Sequence, residues 1–360
     1  MKLTKLLVAT TCLSLGGAIS AAAQADDALK ISTKGGLKIE NDDGSYFKLG
    51  GRLQWDYDVT DSDLIDPASE TFEVRRARLY GKGEMGDWGY KLQFNMGEED
   101  GGDVEDLYVT YKGFGKMAKV TIGKHREPFG LQDQTSSNDT PMLERSAGTE
   151  AFAPARNGGF SLTGNDGRLH YSAGLFREDV DSESTREVAL TGRAAYLLVN
   201  DSDLLVHVGG SVRESNESTR FGLEAATVAG PLHAQAEYFD ADFDELDEDL
   251  DNYYVQVGYV LTGESRPYKG GKFKRIKPQG GTAIEVVARF EDGHGVYSDI
   301  GLRNPTDGVS IAEGTQAAIG LNFYPNNIIR FGFSYMTGDI EVDGEEFDGD
   351  EFRFRPQLAF

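Results

Sequence analysis

The stretch FEVRRARLYGK, residues 72–82, carries basic side chains at alternating positions. In a β-strand, alternate side chains share one face and lie about 6.8 Å apart. Arg76, Arg78 and Lys82 would therefore form a row on one face. Such a row can bind oxyanions such as phosphate, because a guanidinium group donates to two oxygens at once.

The segment before this stretch adds further cations if the two segments form a hairpin. Symmetric pairing would place Arg52 opposite Arg78 and Lys48 opposite Lys82. Like charges opposite each other destabilise a sheet, so acids, water or anions must lie nearby. An arginine wall that faces an acidic loop would create the transverse field of an unselective channel, whereas cations without acidic partners would bind anions. The alternation also predicts that Arg75 points to the other face.

A long segment from Lys124 to Asn157 contains the next group of charged residues. Its 34 residues exceed an ordinary connection, and loops of such length are usually functional. We expect this segment to fold inward and to narrow a pore; the alternative is a floppy surface loop. Its cations Lys124, Arg126, Arg145 and Arg156 are interleaved with the acids Glu127, Asp133, Asp139, Glu144 and Glu150.

A second unusual segment, residues 262–280, is basic in a chain that is otherwise acidic. It contains a single acid, Glu264, and six cations: Arg266, Lys269, Lys272, Lys274, Arg275 and Lys277. It falls on the side of the fold where short turns are expected. It is either a solvated surface turn or a segment that folds into the periplasmic mouth and presents positive charge to a passing anion.

Alternating apolar and polar residues recur along the chain and predict β-strands. In the last segment, Phe352 and Phe354 share a face with the terminal Phe360, and Arg353 and Arg355 share the other face. About sixteen such segments of around ten residues have the length of tilted transmembrane strands. Long and short connections alternate between them. We therefore predict an all-β fold, a transmembrane antiparallel β-barrel of about 16 strands with an inward-folded constriction loop.

The first residues predict export. Lys2 and Lys5 precede an apolar run, and residues 23–25 provide a cleavage site of small residues, so residues 1–25 form the expected signal peptide. Residues 26–360 would then be one barrel domain without cysteine in the outer membrane of a Gram-negative bacterium. We expect contacts with outer-membrane lipid and lipopolysaccharide, and recognition of Phe360 by the barrel-assembly machinery.

Charge and motifs argue against other classes of function. The formal charge of −24 is unfavourable for nucleic-acid binding. The five histidines are scattered and no GxSxG or HExxH spacing occurs, so we expect neither catalysis nor a cofactor. The acidic segment 240–251 lacks the glycine and spacing of an EF-hand loop, and we expect no metal site there. A non-conducting structural barrel or adhesin remains a second alternative.

Seven short segments together resemble the phosphate-selective porin O and P family. They occur in the expected order over most of the chain after the signal peptide. The segments are LGGRLQWDYD (49–58), FEVRRARLYGKG (72–83), DLYVTYKG (106–113), TIGKHREPFGLQDQTSSND (121–139), MLERS (142–146), PARNGG (154–159) and LTGESRPY (261–268).

The resemblance implies a sixteen-stranded trimeric porin whose pore is narrowed by the loop after the fifth strand. In phosphate-specific members arginines and lysines line the pore. By matching motif, the four cations of segment 124–157 lie in or beside the constriction, and Arg266 and Lys269 lie in a long periplasmic turn. We expect passive diffusion of small hydrophilic solutes with a preference for anions, and phosphate or polyphosphate as candidate solutes. A general porin with an acid-balanced constriction is the alternative.

Overall fold

The computed structural model describes residues 29–63, 65–97, 102–178, 187–216, 218–243, 250–297, 310–342 and 345–360. Within them, eighteen strands form one antiparallel sheet. The strands are β1 (Lys30–Ser32), β2 (Leu37–Glu40), β3 (Tyr46–Ser62), β4 (Ile65–Met85), β5 (Trp88–Asn95), β6 (Asp103–Tyr111), β7 (Lys119–Arg126), β8 (Arg156–Asn165), β9 (Leu169–Glu178), β10 (Glu187–Asn200), β11 (Leu204–Glu214), β12 (Ser218–Ala229), β13 (Leu232–Phe243), β14 (Leu250–Val260), β15 (Ala283–Tyr297), β16 (Ser310–Tyr324), β17 (Ile329–Val342) and β18 (Glu345–Ala359).

Two short helices, α1 (Leu131–Gln134) and α2 (Ala147–Phe152), lie in the connection between β7 and β8. Among the described residues, no helix has the length and apolar character needed to cross a membrane.

The sheet closes into a barrel of sixteen strands. Each strand from β3 to β18 pairs with the next along the chain, and β18 pairs with β3. Closure satisfies the strand edges, which is required of a sheet surrounded by lipid. At the seam, the Gln54 side-chain amide also donates to Gln357 at 2.7 Å. The prediction of a barrel of about 16 strands is confirmed; β1 and β2 form an extra hairpin that pairs with the start of β3.

The barrel is apolar outside and polar inside. Outward side chains such as Leu175, Leu223 and Ile319 are more than half exposed, as lipid-facing residues are in an isolated barrel. The largest fully buried side chains include Arg213, Arg330 and Arg355, which point into the lumen. Charges removed from water require hydrogen-bond acceptors or counter-charges, so the lumen is built from polar contacts.

A β-bulge in β4 brings two consecutive arginines into the lumen. The pairing of β4 with β3 shifts between Gln54 and Asp56, so that one residue of β3 opposes two residues of β4. The extra residue turns the side chains of both Arg75 and Arg76 towards Glu144, at 3.1 and 3.3 Å. The prediction that Arg75 points to the outer face is therefore wrong, because a bulge interrupts the alternation of faces.

The connection between β7 and β8, residues 127–155, lies inside the barrel. Phe129 and Phe152 stack on Phe239 of β13, with ring centroids 6.1 and 6.0 Å apart. These three rings belong to a buried cluster on the lumenal side of β13 and β14. The predicted inward-folded loop is confirmed, and it is called the constriction loop below.

Three predictions fall on residues outside the described ranges. Residues 1–25, the expected signal peptide, and the start of the barrel domain at residue 26 are among them. Half of the acidic segment 240–251 is also outside, since the described ranges end at 243 and resume at 250.

Replacing Gly51 by alanine should destabilise barrel closure. A Cβ there would lie 2.7 Å from the carbonyl oxygen of Arg78 and 2.9 Å from Cζ of Phe360. Overpacking of this kind costs about 1–3 kcal/mol, so the heat-dependent shift in gel mobility should occur at a lower temperature. Gly158→Ala is the matched control, because a Cβ at Gly158 meets open space. Equal thermal stability of the two variants would contradict the prediction.

Candidate functional site

Wall carboxylates hold the two helices of the constriction loop. Glu237 of β13 accepts hydrogen bonds from the first two backbone N–H groups of α1, at 2.6 and 2.8 Å. Glu291 of β15 accepts from the first N–H of α2 at 2.7 Å. These N–H groups lack partners within their helices. The loop is thereby fixed to the wall at two points.

Wall arginines hold the carbonyl groups of the same loop. Arg330 of β17 donates to the carbonyl oxygens of Thr140 and Pro141, at 2.7 and 2.6 Å. Arg289 of β15 donates to the carbonyl of Glu144 at 2.9 Å. Three more arginines donate to loop carbonyls: Arg266 to Asp139, Arg355 to Leu143 and Arg220 to Phe152. Several of the arginine side chains in the lumen therefore hold the constriction loop in position.

The arginine row of β3 and β4 lies beside this loop. Arg52 is directly opposite Arg78, as predicted. Arg78 pairs with Glu105 of β6, whereas Arg52 donates to the hydroxyl of Ser137 in the loop. Within the part of the chain that the structure describes, no carboxylate lies within 4.0 Å of the Arg52 guanidinium group. The row therefore retains positive charge at the constriction.

The four cations predicted for the loop segment are each paired with an acid. Lys124 pairs with Asp103 (3.5 Å), Arg126 with Asp133, Arg145 with Glu150 (3.1 Å), and Arg156 with both Glu105 (2.7 Å) and Asp106 (3.0 Å). Arg145 and Arg156 also lie near enough to Arg52 to repel it. Arg126, at the end of β7, lies directly opposite Arg156 of β8 and is repelled by both Arg156 and Arg145. These three of the four predicted cations therefore lie together.

A row of lysines crosses the lumenal wall closer to the periplasmic end. Lys38, Lys48, Lys82 and Lys91 are directly opposite one another on four adjacent strands, β2 to β5. The predicted pairing of Lys48 with Lys82 is confirmed. Lys38 pairs with Glu40, and Lys91 lies 2.5 Å from Asp106. Among the described residues, no carboxylate lies within 4.0 Å of the ammonium group of Lys48 or Lys82.

The basic segment after β14 folds into the lumen and packs against the constriction loop. Phe273 is buried in one cluster with Leu131 of α1 and two residues of β12. The Tyr268 hydroxyl lies 2.5 Å from Nδ1 of His207 on β11. Arg193 of β10 donates to the carbonyl of Gly271 at 2.8 Å. Apolar and polar contacts with the wall together distinguish this segment from a solvated surface turn.

The cations of this segment have three different environments. Arg266 is buried, stacks over Phe273 at 4.1 Å and reaches the constriction loop. Lys274 lies 3.7 Å from Asp139 of the loop, and Arg275 donates to the carbonyl of Asn327. Lys269 and Lys277 are exposed.

Lys272 lies in the most positive surroundings of the segment. No ion pair of its ammonium group occurs within the described ranges. Burial, together with repulsion from Lys274, Arg193 and Arg126, lowers the pKa of Lys272 to about 7. An ammonium group in such a position gains stability from an anion.

Comparison with known proteins identifies the family. The family model for the phosphate-selective porins O and P matches residues 47–213 and 198–360, so that nearly the whole described barrel is included. This chain belongs to that family. It is an outer-membrane porin of Gram-negative type, and the predicted family, fold and location are confirmed.

Individual relatives of this porin agree with that assignment. Porin O of Pseudomonas aeruginosa is 28% identical, covering 92% of both chains. An uncharacterized protein of Caulobacter vibrioides is 27% identical, covering 87% of this chain and 72% of its own. The anion-selective porin from Comamonas acidovorans has a TM-score of 0.59 at 14% identity, with 88% and 100% covered. The trimer form of OmpT of Vibrio cholerae has a TM-score of 0.57 at 12% identity, with 88% and 99% covered, so both solved structures support the fold.

Several lumenal residues of this porin were not selected from the sequence. They include the loop-binding arginines Arg220, Arg289, Arg330 and Arg355, and the wall acids that pair with cations. The alternation of apolar and polar residues along each strand predicts that their side chains face the lumen. On β18, for example, Arg353 and Arg355 lie on the face that does not carry the apolar residues. The partners could not be read from the pattern, because contacts such as Arg355 with Asp56 join residues 299 positions apart.

Replacing Arg330 by methionine should loosen the constriction. The carbonyl of Thr140 would lose its Arg330 donor, and that of Pro141 would keep only the amide of Asn322 at 2.8 Å. A buried group without a partner costs about 1–3 kcal/mol. We expect a larger and noisier single-channel conductance in planar bilayers and a lower thermal stability.

The exposed arginine of β9 provides the control, as Arg177→Met. It removes the same charge without touching the loop. If Arg330→Met behaves like Arg177→Met in both measurements, Arg330 does not position the loop.

Proposed function

We propose that this porin carries small hydrophilic anions by passive diffusion, without a catalytic step or a cofactor, and that oxyanions such as phosphate or polyphosphate are its solutes. The family description and the anion-selective relative support this class of solute. The charges of the lumenal wall support it independently.

The observation that carries the proposal is the presence of like charges directly opposite each other. Lys48 faces Lys82, and Arg52 faces Arg78, on the same two strands. Such pairs destabilise a sheet, and among the described residues no carboxylate lies within 4.0 Å of the charged group of Lys48, Lys82 or Arg52. Glu105 and Glu84 act on Arg52 and Lys82 only from farther away. A passing anion would supply the missing counter-charge. These pairs of like charges do not stabilise the fold, but they would favour the passage of anions.

The proposed path runs from the constriction to the periplasmic mouth. Arg52 and Lys48 are four residues apart on β3, so an anion would move about 13 Å between the two levels. The constriction stage comprises Lys124, Arg126, Arg145, Arg156, Arg52, Arg76 and Arg78, and the next stage comprises Lys48 and Lys82. The segment after β14 would complete the path with Arg266, Lys269, Lys272, Lys274, Arg275 and Lys277. Positive potential along a narrow lumen concentrates anions and repels cations.

A general porin with weak selectivity is the second candidate. The pairing of Arg78, Arg126, Arg145 and Arg156 with carboxylates favours it, because paired charges contribute little net potential. An anion-selective porin requires that the cations without acidic partners dominate the electrostatic potential of the lumen, whereas a general porin requires that they do not. A measurement of ion selectivity therefore decides between them.

The proposed assembly is a homotrimer embedded in outer-membrane lipid and lipopolysaccharide. A related fold, that of OmpT of Vibrio cholerae, has been solved in a trimer form. We further propose that the barrel-assembly machinery recognises the C-terminal strand through Phe360. Phe360 pairs with Gly51 of β3 through two backbone hydrogen bonds of 2.9 and 3.0 Å, so its placement completes the seam.

Neutralising Lys48 and Lys82 together as glutamines should lower the anion preference. One charge about 8 Å from an ion in water is worth about 0.5 kcal/mol, so the loss of two should change the permeability ratio on the order of a few-fold. The measurement is the reversal potential in a planar bilayer under a KCl gradient, followed by titration with phosphate. Block by phosphate should also weaken.

The matched control is the Lys116→Gln, Arg177→Gln double variant, since both side chains are exposed and lie outside the proposed path. It removes two charges from the same protein but not from the lysine row. A cation preference in the unaltered protein, with phosphate inert, would replace the proposal by the general porin. Absence of conductance would favour the structural barrel.

The anion preference should also decrease between pH 6 and pH 8. Lys272 has its pKa lowered to about 7, so its ammonium group is charged below that pH and neutral above it. Lys272→Gln should lower the anion preference at pH 6 and remove part of the pH dependence. The difference between protein and variant isolates the contribution of Lys272 from that of every other titrating group. Identical pH profiles would exclude Lys272 from the path.

A further inference from the structure

The carboxylate of Glu144, in the constriction loop, contacts four guanidinium groups of the wall. Its oxygens lie 3.1 Å from Nε of Arg75, 3.3 Å from Nη2 of Arg76 and 3.5 Å from Nη1 of Arg353. Arg355 also pairs with it through Nη2. A single carboxylate rarely needs four cations, since two guanidinium forks already occupy its acceptor positions.

Two strands that flank β3 build this group of arginines. Arg75 and Arg76 come from the bulge of β4, which turns consecutive side chains to the lumen. Arg353 and Arg355 alternate on the lumenal face of β18. The four cations are thus positioned by the wall, and the loop contributes only the anion. We call them the four-arginine site.

The acids of the wall neutralise only half of this site. Asp56 binds Arg355 at 2.5 Å, and Asp58 binds Arg353 at 2.6 Å. Arg75 and Arg76 have no carboxylate partner other than Glu144 within the described ranges. Without Glu144, two adjacent guanidinium groups would therefore face the lumen with no counter-charge.

Solvent reaches the carboxylate that fills the site. The Glu144 side chain is 24% exposed, whereas Arg76 and Arg355 behind it are at most 6% exposed. Burial alone would raise the pKa of Glu144, but Arg355, Arg76, Arg75 and Arg353 hold that pKa well below its usual range. Glu144 therefore binds as an anion, as an external carboxylate would.

The loop does not depend on this side chain alone for its position. The carbonyl of Glu144 itself accepts from Arg289 at 2.9 Å, and the preceding carbonyl, of Leu143, accepts from Arg355. Removal of the carboxylate leaves these backbone contacts in place. The site and the loop can therefore be separated by substitution.

We propose that Arg75, Arg76, Arg353 and Arg355 form a carboxylate-binding site in the pore wall and that Glu144 occupies it as a tethered ligand. A free carboxylate-bearing anion binds there when Glu144 is removed or displaced. Glu144 thus screens the four arginines, of which only Arg76 belongs to the proposed constriction stage, and leaves Arg52, Lys48 and Lys82 as the unscreened cations of the anion path. This inference concerns occupancy of a site and stands whether or not the intact porin prefers anions.

Chemical rescue of Glu144→Ala tests the proposal. The truncation leaves room for acetate beside the four arginines. Thermal stability of the purified protein is measured by heat-dependent gel mobility in sodium acetate and in sodium chloride at equal ionic strength. Acetate should stabilise Glu144→Ala in a saturable manner, because a ligand that binds only the folded state raises its stability. The unaltered protein, whose site is filled, should show no difference between the two salts.

Glu150→Ala is the matched control. It removes a loop carboxylate of the same length that pairs with Arg145, outside the four-arginine site. Acetate should not stabilise this variant. Equal responses to acetate and chloride in Glu144→Ala, or an equal acetate effect in Glu150→Ala, would overturn the proposal and leave Glu144 as a structural contact.

Glu144→Gln provides a second measurement that does not depend on the alanine variant folding. The amide keeps the shape of the side chain but removes its charge. Acetate should block the chloride current of Glu144→Gln at a concentration about tenfold lower than that needed for the unaltered protein. Equal block would also overturn the proposal, since an uncharged side chain should no longer compete for the arginines.

Discussion

Arginine side chains enclosed by the barrel keep their charge, and each guanidinium group removed from water needs acceptors. In this porin the constriction loop supplies many of them, through its carbonyls and its acids. Arg330, Arg289 and Arg266 bind loop carbonyls, and four arginines bind Glu144. The position of the loop therefore depends on the wall arginines, and these arginines depend on the loop for their hydrogen-bond acceptors. Together they determine the width of the pore.

This mutual dependence divides the lumenal cations into two groups. One group holds the loop or is paired with acids, so it contributes structure and little net potential. The other group, which includes Arg52, Lys48, Lys82 and Lys272, has no carboxylate partner among the described residues. The proposed selectivity depends on the second group. A count of basic residues in the sequence does not reveal this difference, because pairing is a property of the folded lumen.

Most of the architecture could be predicted from the alternation of side chains. Period-2 patterning identified the strands and the lumenal faces, and symmetric hairpin pairing placed Arg52 opposite Arg78 correctly. The length of segment 124–157 indicated an inward loop, and the charge of segment 262–280 suggested a lumenal turn. Arg75 was misplaced because a bulge adds one residue to a strand without leaving a clear mark in the pattern. The arginines of β15 to β18 were not connected to the loop, because their partners are far away in sequence.

The sequence by itself determined the barrel, its polar interior and the segments that enter the lumen. A strand with lipid on one face and water on the other must alternate apolar and polar side chains, and this local constraint is visible in consecutive residues. Only the tertiary structure decided which cations are neutralised and which face the pore. That outcome depends on distances of a few ångströms between side chains on different strands and loops, and electrostatic energy changes steeply over such distances when water is excluded.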